Sequence, residues 1–455
     1  MKRIVPALLL SLLTVNTFAQ TSVAELFQDD AEALIETSME NGVGFERLTY
    51  LVDTFGPRLS GSENLENAID WIVNEMRFDG FDKVWTQAVK VPHWVRGEES
   101  ATLNIPIQRN LPMLGLGGSI GTPVEGITGE VLVVKSFEEL NERSTEAKGK
   151  IVLFNAEFTS YGQTVGYRVN GASEAAKHGA VASLIASVAS YSIQTPHTGT
   201  MRYEEGVEKI PHAAITVEDA LMMQRFADRG ERLEVTLKME AQTFPDADSR
   251  NVIAEITGSE FPDEIIVLGG HIDSWDVGQG AMDDAGGCVA AWEALRLIKE
   301  LGLKPKRTIR VVLWTNEENG LAGANEYSRW VEEEEKSMEE HVLAMESDSG
   351  VFDPIGFGFS GSDAAFDILT QIGTLLEPIE SGVVSKGGGG ADIGPLMRKG
   401  VPGMGLNVDG EKYFWFHHTD ADTIDKLNAE DFNECTATMA VFAFAVADLE
   451  EKLPR

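Results

Sequence analysis

Apolar positions fall into three textures along the chain. In GPRLSGSENLENAIDWIVNEMRFDGFDKV a glycine-rich turn precedes Ile69, Ile72, Val73 and Met76, whose helical spacing predicts an amphipathic helix with a packing role. Residues 20–44, before it, carry no strand pattern and read as a leader-like helix or a removable pro-segment. From about Thr122 the texture becomes short β-rich runs, GEVLVVKS, GKIVLFN, HAAITV and RLEVTLKMEA, around the small-residue helix ASEAAKHGAVASLIASVAS, which predicts a separate β-rich unit. After FPDADSRNVIAEITG, apolar runs at 265–268, 309–314 and 342–345 alternate with helical stretches, CVAAWEALRLIKELG and a helix from about Leu321. Strands and helices alternating over short connections predict an α/β fold, a mostly parallel mixed sheet flanked by helices.

The 455 residues are 43% apolar, enough for two or three domains with ordinary cores. A net charge of −36 excludes nucleic acid or an anionic membrane surface as partner, because both would repel most of the protein. Part of that charge, Glu at each of 332–335 with Glu339 and Glu340, reads as a solvated helix face or loop. Residues 1–19, with Lys2 and Arg3 before an apolar run and Thr17-Phe18-Ala19 at its end, read as a signal peptide cleaved before Gln20. That run is too short to span a bilayer and no later one is longer, so an exported protein, periplasmic or secreted and without membrane insertion, is expected. Cys288 and Cys435 each lie in an apolar, helix-like segment, and two buried thiols are expected rather than a bridge.

The carboxyl ends of strands are the site-bearing edge of an open α/β sheet. Past the first apolar run come His271, Asp273, Asp283 and Asp284; past the second, Glu317 and Glu318; past the third, Glu346 and Asp348. YFWFHHTDADT adds His417 and His418 after an aromatic run. Carboxylates and imidazoles gathered this way suit Zn²⁺, and their number favours two ions sharing a bridging carboxylate over one. Each position also has a structural reading. Asp284 suits a helix N-cap; His93, His178, His212 and His341 suit satisfied core histidines, and His197 in QTPHTG is open between roles. Recurrence of acids at one edge outweighs these readings, since clustered bare carboxylates repel and demand cations.

These residues resemble the co-catalytic dizinc aminopeptidase and carboxypeptidase family. The resemblance extends beyond GHIDSWDVGQGAMDD to PHWVRGEES, LGLGGSIGTPVEGIT, ASLIASVASYSIQTPHTGT, LWTNEENG, MESDSG and FHHTDADT, nearly the whole mature chain. It implies a zinc peptidase domain at 45–121 and 244–455, interrupted at 122–243 by a protease-associated domain. It also implies two Zn²⁺ per chain held by His271, Asp283, Glu318, Asp348 and His418, with Asp283 bridging. His271 and Asp348 would complete one site, Glu318 and His418 the other. Glu317 matches the catalytic carboxylate and Asp273 the residue that orients the first histidine. His418 is preferred because the spacing of His418-Thr419-Asp420-Ala421-Asp422 matches the family best; His417 is the weaker candidate.

Water bridging two zinc ions is acidified toward neutrality, and an adjacent carboxylate that is not a ligand, here Glu317, takes its proton and later returns it to the departing amine. Tyr413 is a candidate for oxyanion or substrate contact against a core reading. Asp392 in GGGGADIG is a candidate substrate contact against a plain turn. His197 is the third substrate-side candidate. The resemblance implies a homodimer and peptide substrates, dipeptides or short peptides with free termini. Its rivals are a catalytically inactive receptor-like protein on the same fold, marked by lost ligands, and an acyl transferase like the glutaminyl cyclases, which lack the insertion.

Overall fold

The structure is a computed structural model and describes residues 23–455; the expected signal peptide lies outside the described residues. Its strands form two eight-stranded sheets. The chain enters through β1 (Lys83–Val95) and then builds β2 (Glu99–Ile105), β3 (Arg109–Leu111), β4 (Met113–Gly115), β5 (Ile127–Val134), β6 (Ile151–Phe154), β7 (Ala182–Ala186), β8 (His212–Ile215) and β9 (Glu234–Met239). It returns through β10 (Gln242–Ile256) to β11 (Phe261–His271), β12 (Arg307–Trp314), β13 (His341–Glu346), β14 (Pro354–Ser360), β15 (Val383–Lys386) and β16 (Gly403–Val408).

The first sheet runs β1-β10-β12-β11-β13-β16-β14-β15. Its centre is parallel, β12 to β11, β11 to β13 and β13 to β16, as the alternating texture predicts. Antiparallel pairs flank that centre, β1 with β10, β10 with β12 and β14 with β16. Covered on both faces, β12 and β13 are buried throughout, which is why they read as continuous apolar runs. One face packs Leu268 and Leu313 against Trp292 of the helix Gly286–Glu300 and Phe442 of the helix Ala429–Asp448. The other packs Trp314 against Ala324 and Tyr327 of the helix Ala322–Trp330.

The helix Glu63–Phe78 buries Ile69, Ile72, Val73 and Met76, and the Ser62 side chain caps it by accepting from Leu65 N–H. Residues 23–41 form a helix that buries Phe27, Ala31 and Leu34, with Phe27 edge-on to Phe444. This part of the segment is thus packed against the last long helix. Cys288 and Cys435 are free, buried thiols, as expected. Within the acidic run, Glu335 departs from the solvated reading: it turns inward to Arg310 at 2.6 Å.

The second sheet runs β3-β2-β9-β5-β6-β7-β8-β4. It contains β2 to β4, so the second unit begins at Glu99 rather than at 122. The pairing of β2 with β9 is nonlocal, and no periodicity within 99–115 reveals it. The long ladder from Lys83↔Glu255 to Val95↔Gln242 carries the chain out and back. Beyond it Arg96 locks the units together, donating to Asp276 at 2.8 and 2.5 Å, to the Gly115 carbonyl and to Thr198 Oγ1 at 3.3 Å. Asp276 of the glycine-rich loop therefore anchors the second unit.

Candidate metal centre

The parallel strands β11, β12 and β13 bring their carboxyl ends to one edge, where His271, the Glu317–Glu318 turn and Asp348 meet. His271 Nδ1–H donates to the main-chain carbonyl of Asp273 at 2.9 Å, leaving Nε2 for the centre. The Asp273 carboxylate stands 3.8 Å from that ring nitrogen. It accepts instead from the amides of Glu317 (3.0 Å) and Glu318 (3.4 Å). Asp273 thus meets the histidine through its backbone carbonyl, and its carboxylate aims the Glu317–Glu318 turn. Asn316, at φ 68°, closes the turn by accepting from Ala322 N–H and donating to Ser60 Oγ.

Asp283 lies between two groups of donors. Its Oδ1 is 3.1 Å from His271 Nε2, which is also 3.3 Å from Asp348 Oδ1. Its Oδ2 is 3.3 Å from His418 Nε2 and 3.6 Å from His417 Nε2. Only His418 of the two histidines also meets Glu318, at 3.0 Å. This geometry favours it over His417, which stacks against it with ring centres 3.5 Å apart. Burial opposes charge on His271, yet hydrogen bonds to Asp283 and Asp348 hold its pKa well above the usual imidazole range. Burial alone would raise Asp283, but His271 and His418 hold it well below the carboxylate range. Burial pushes Glu318 up to about 7, and His418, despite burial, is raised to about 10 by Glu318 and Asp283. Burial, reinforced by Asp348 and Glu318, holds Glu317 well above the carboxylate range. Asp283 Oδ2 and Glu318 Oε1 are buried without a hydrogen-bond partner among the described residues. A buried acceptor left unpaired is unfavourable, and divalent ions among these oxygens and imidazoles would satisfy both, so the donor set fits zinc.

The loop carrying Asp283 is held from three sides. Asp422 accepts from the amides of Ala281 (3.0 Å), Met282 (2.9 Å) and Asp283 (3.3 Å). Arg58, wholly buried, donates to the carbonyls of Gly56 (2.8 Å), Ile272 (3.0 Å), Gln279 (2.7 Å) and Gly280 (2.9 Å). Asp284 caps the following helix through Gly287 N–H (3.1 Å) and ties down His271 N–H (3.0 Å). A Cβ on Gly270 would come within 2.1 Å of the Asp284 carboxylate, so a side chain there would displace it. Sequence reasoning assigned no role to Arg58 or Asp422. GPRLSGS read as a turn before a packing helix, and Asp422 served only to mark spacing.

A cavity of about 680 Å³ opens over the centre. Asp283, Glu317, Glu318, Asp348, Tyr413, His417 and His418 line it from the first unit, and Tyr161, Arg168, Thr200, Met201 and Arg202 from the second. Tyr413 packs on His417 with ring centres 5.1 Å apart. His197 and Asp392 do not line this cavity, contrary to their expected substrate contact. His197 is buried behind it, donating Nδ1–H to the His417 carbonyl (2.7 Å), and burial lowers it to about 4. Asp392 is buried near Glu346, and burial raises its pKa well above the carboxylate range. His418 is gripped by the second unit at two points: its Nδ1–H donates to the Thr198 carbonyl (3.3 Å) and its carbonyl accepts from Thr198 N–H (3.0 Å). Of the four histidines read as core, His212 and His341 are buried, whereas His93 stacks half-buried on Phe244 and His178 binds Asn141 near the surface.

The family described as Peptidase family M28 matches residues 251–443. Carboxypeptidase Q of Mus musculus is 51% identical over 432 residues, 94% of this chain and 91% of its own length. The Homo sapiens protein of the same name is 51% identical over 94% of this chain and 90% of its own length. A crystal structure of a peptidase M28 precursor from Shewanella amazonensis shares 36% identity at a TM-score of 0.90, covering 95% of this chain and 99% of that one. The zinc aminopeptidase of Bacillus subtilis, at 20% identity and a TM-score of 0.65 over 90% of this chain and 98% of its own, shares the fold.

Proposed function

The chain belongs to peptidase family M28 and is a metallopeptidase, and from that premise we propose that it is an exported exopeptidase hydrolysing dipeptides and short peptides with free termini. In this reading His271, Asp283 and Asp348 would hold one zinc ion and Asp283, Glu318 and His418 a second. The observation that carries it is Asp283, whose two oxygens face different histidines at 3.1 and 3.3 Å. Zinc, when bound, supplies an acidified water and a Lewis acid for the scissile carbonyl.

The chain's own residues do the rest. Glu317 borders the cavity, and its raised pKa suits a carboxyl that takes a proton from the attacking water and returns it to the departing amine. Asp273 fixes the turn so that Glu318 faces His418 while Glu317 faces the cavity. Tyr413, which also lines the cavity, packs on His417 and offers a hydroxyl for oxyanion or substrate contact. Competent side chains at every ligand position and at Glu317 favour an enzyme over an inactive receptor-like protein, and the second unit, which contributes cavity wall, favours a peptidase over a cyclase-like acyl transferase.

The test is Glu317→Ala on the purified, zinc-loaded protein. Removal of a general base lowers kcat by about 10²–10⁴-fold, with zinc content held at about two per chain. Full activity in the variant would remove Glu317 from this role. A wild-type zinc content near one per chain would remove the paired site.

A further inference from the structure

A second cavity, of about 10 Å³, touches Asp283, Glu318 and His418 from a side bordered by Trp275, Thr419 and Asp422, none of which lines the large cavity. A single water needs about 10–15 Å³ of such space, so the cavity suits one small molecule and no part of a peptide. Most polar groups around it are already spent. Asp422 accepts from the amides of Ala281, Met282 and Asp283, and His418 Nδ1–H donates to the Thr198 carbonyl. Thr419 Oγ1 donates to the Phe416 carbonyl at 2.8 Å and accepts from Ala421 N–H at 3.0 Å. Three groups are not spent: Trp275 Nε1–H, Glu318 Oε1 and Asp283 Oδ2 are buried without a hydrogen-bond partner among the described residues.

Zinc accounts only for the acceptors. A cation satisfies carboxylate oxygens but offers nothing to an N–H, and a buried donor left unpaired is unfavourable. Nor does packing alone call for an indole here. Trp275 is 2% exposed, packs with Leu59, Trp94 and Ala241, and turns its benzo edge to Gly117 of the second unit. Trp94 and Trp292 also fill the interior, yet their indoles donate to the Ser119 carbonyl at 2.9 Å and to Asp79 at 2.8 Å. Trp314, whose buried indole also lacks a partner, borders neither cavity.

We propose that the small cavity binds one water molecule, which accepts from Trp275 Nε1–H and donates to Glu318 Oε1 and Asp283 Oδ2. Three partners are the usual number for a buried water. Trp275 is then a positioning residue. Glu318 Oε2 meets His418 Nε2 at 3.0 Å, so tethering Oε1 through the water fixes the rotation of the carboxylate. Each carboxylate oxygen carries two lone pairs, so the water and a metal ion can share it. This rests on the paired-zinc reading above and adds an outer partner for one site of the pair. Glu318 belongs only to the site proposed with His418, and neither His271 nor Asp348 borders the small cavity.

The test joins crystallography with zinc binding. A crystal structure of the zinc-loaded wild type, at a resolution that shows ordered solvent, is expected to hold a water about 2.7–3.2 Å from Trp275 Nε1 and about 2.5–3.0 Å from Glu318 Oε1. Trp275→Phe keeps an aromatic ring and deletes the donor. Competitive titration against a zinc chelator is expected to show about tenfold weaker binding at one of the two sites, with the other within about threefold of wild type. Melting of both metal-free proteins reports the lost packing separately. The inference is overturned if no water stands between Trp275 and Glu318, or if Trp275→Phe weakens both sites alike or neither. If the variant does not fold, the wild-type crystal structure decides. If wild type holds a single zinc, the paired reading fails, and the water between Trp275 and Glu318, found or missing, still decides this inference.

Discussion

Asp422→Asn isolates how Asp283, the proposed bridging residue, is held. In the native turn Asp422 Oδ1 serves the amides of Ala281 and Met282, and Oδ2 serves that of Asp283 at 3.3 Å. The isosteric amide keeps one oxygen, best spent on the first two amides, and sets its NH₂ against Asp283 N–H, a donor facing a donor. Loss of one hydrogen bond to a charged acceptor, with the amide left unsatisfied in a buried turn, is worth about 3 kcal/mol. The turn relaxes in the metal-free protein and must be restored when zinc binds, so most of that energy appears in metal affinity. At 1.4 kcal/mol per decade the expected loss is about 100-fold, at the upper end of what outer partners of metal ligands contribute. Competitive titration against a zinc chelator measures it, and melting of both metal-free proteins reports stability separately. A zinc affinity within about threefold of wild type would refute the reasoning, and a lowered Tm with unchanged affinity would make Asp422 a folding anchor only.

Two further outcomes are expected elsewhere in the molecule. Burial lowers His212 to about 4 from 6.5, so its neutral form is favoured in the fold; its contribution is complete above pH 6.5 and is lost as pH falls toward 4 because the unfolded chain protonates first. That is about 1.4 kcal/mol per pH unit, and His212→Asn should flatten the denaturation slope by this amount in that window, an equal slope in both proteins refuting it. A Cβ on Gly117 would stand 2.1 Å from the Trp275 ring, whose centre is 5.6 Å from that of His418. Gly117→Ala should therefore cost about 1–3 kcal/mol in thermal unfolding and weaken zinc binding, and unaltered melting would show that the indole moves freely.

What was legible in the sequence was whatever repeats locally. Apolar runs marked β11, β12 and β13, the polar residues just past them included His271, Asp283, Glu318 and Asp348, and the family resemblance singled these out with His418 from beyond the C-terminal aromatic run; the fold brings the five together. The capping reading of Asp284 needed only its own helix. Contacts between distant segments were not legible. Asp276 had no role until Arg96 was placed beside it, and Arg58 looked like part of a turn because three of its four carbonyl partners lie more than two hundred residues on. The same limit hides the pairing of 99–115 with the second sheet and leaves Asp392 and His197, both polar and near glycine or proline, open in the sequence between substrate contact and structural roles. Side-chain type names a chemistry, but only the fold decides which face of a wall it reaches.

The two hydrogen bonds between Thr198 and His418 bear on how such a protein can be inherited and rebuilt. A module joined only by linkers can be lost, swapped or shortened while its host keeps working. Here His418, the proposed metal ligand, leans on the backbone of the second unit, so excising that unit would free His418 to turn. Chimeras that exchange this unit between relatives should keep activity only when the segment around Thr198 is transplanted in register, which makes the second unit a partner in descent rather than an accessory.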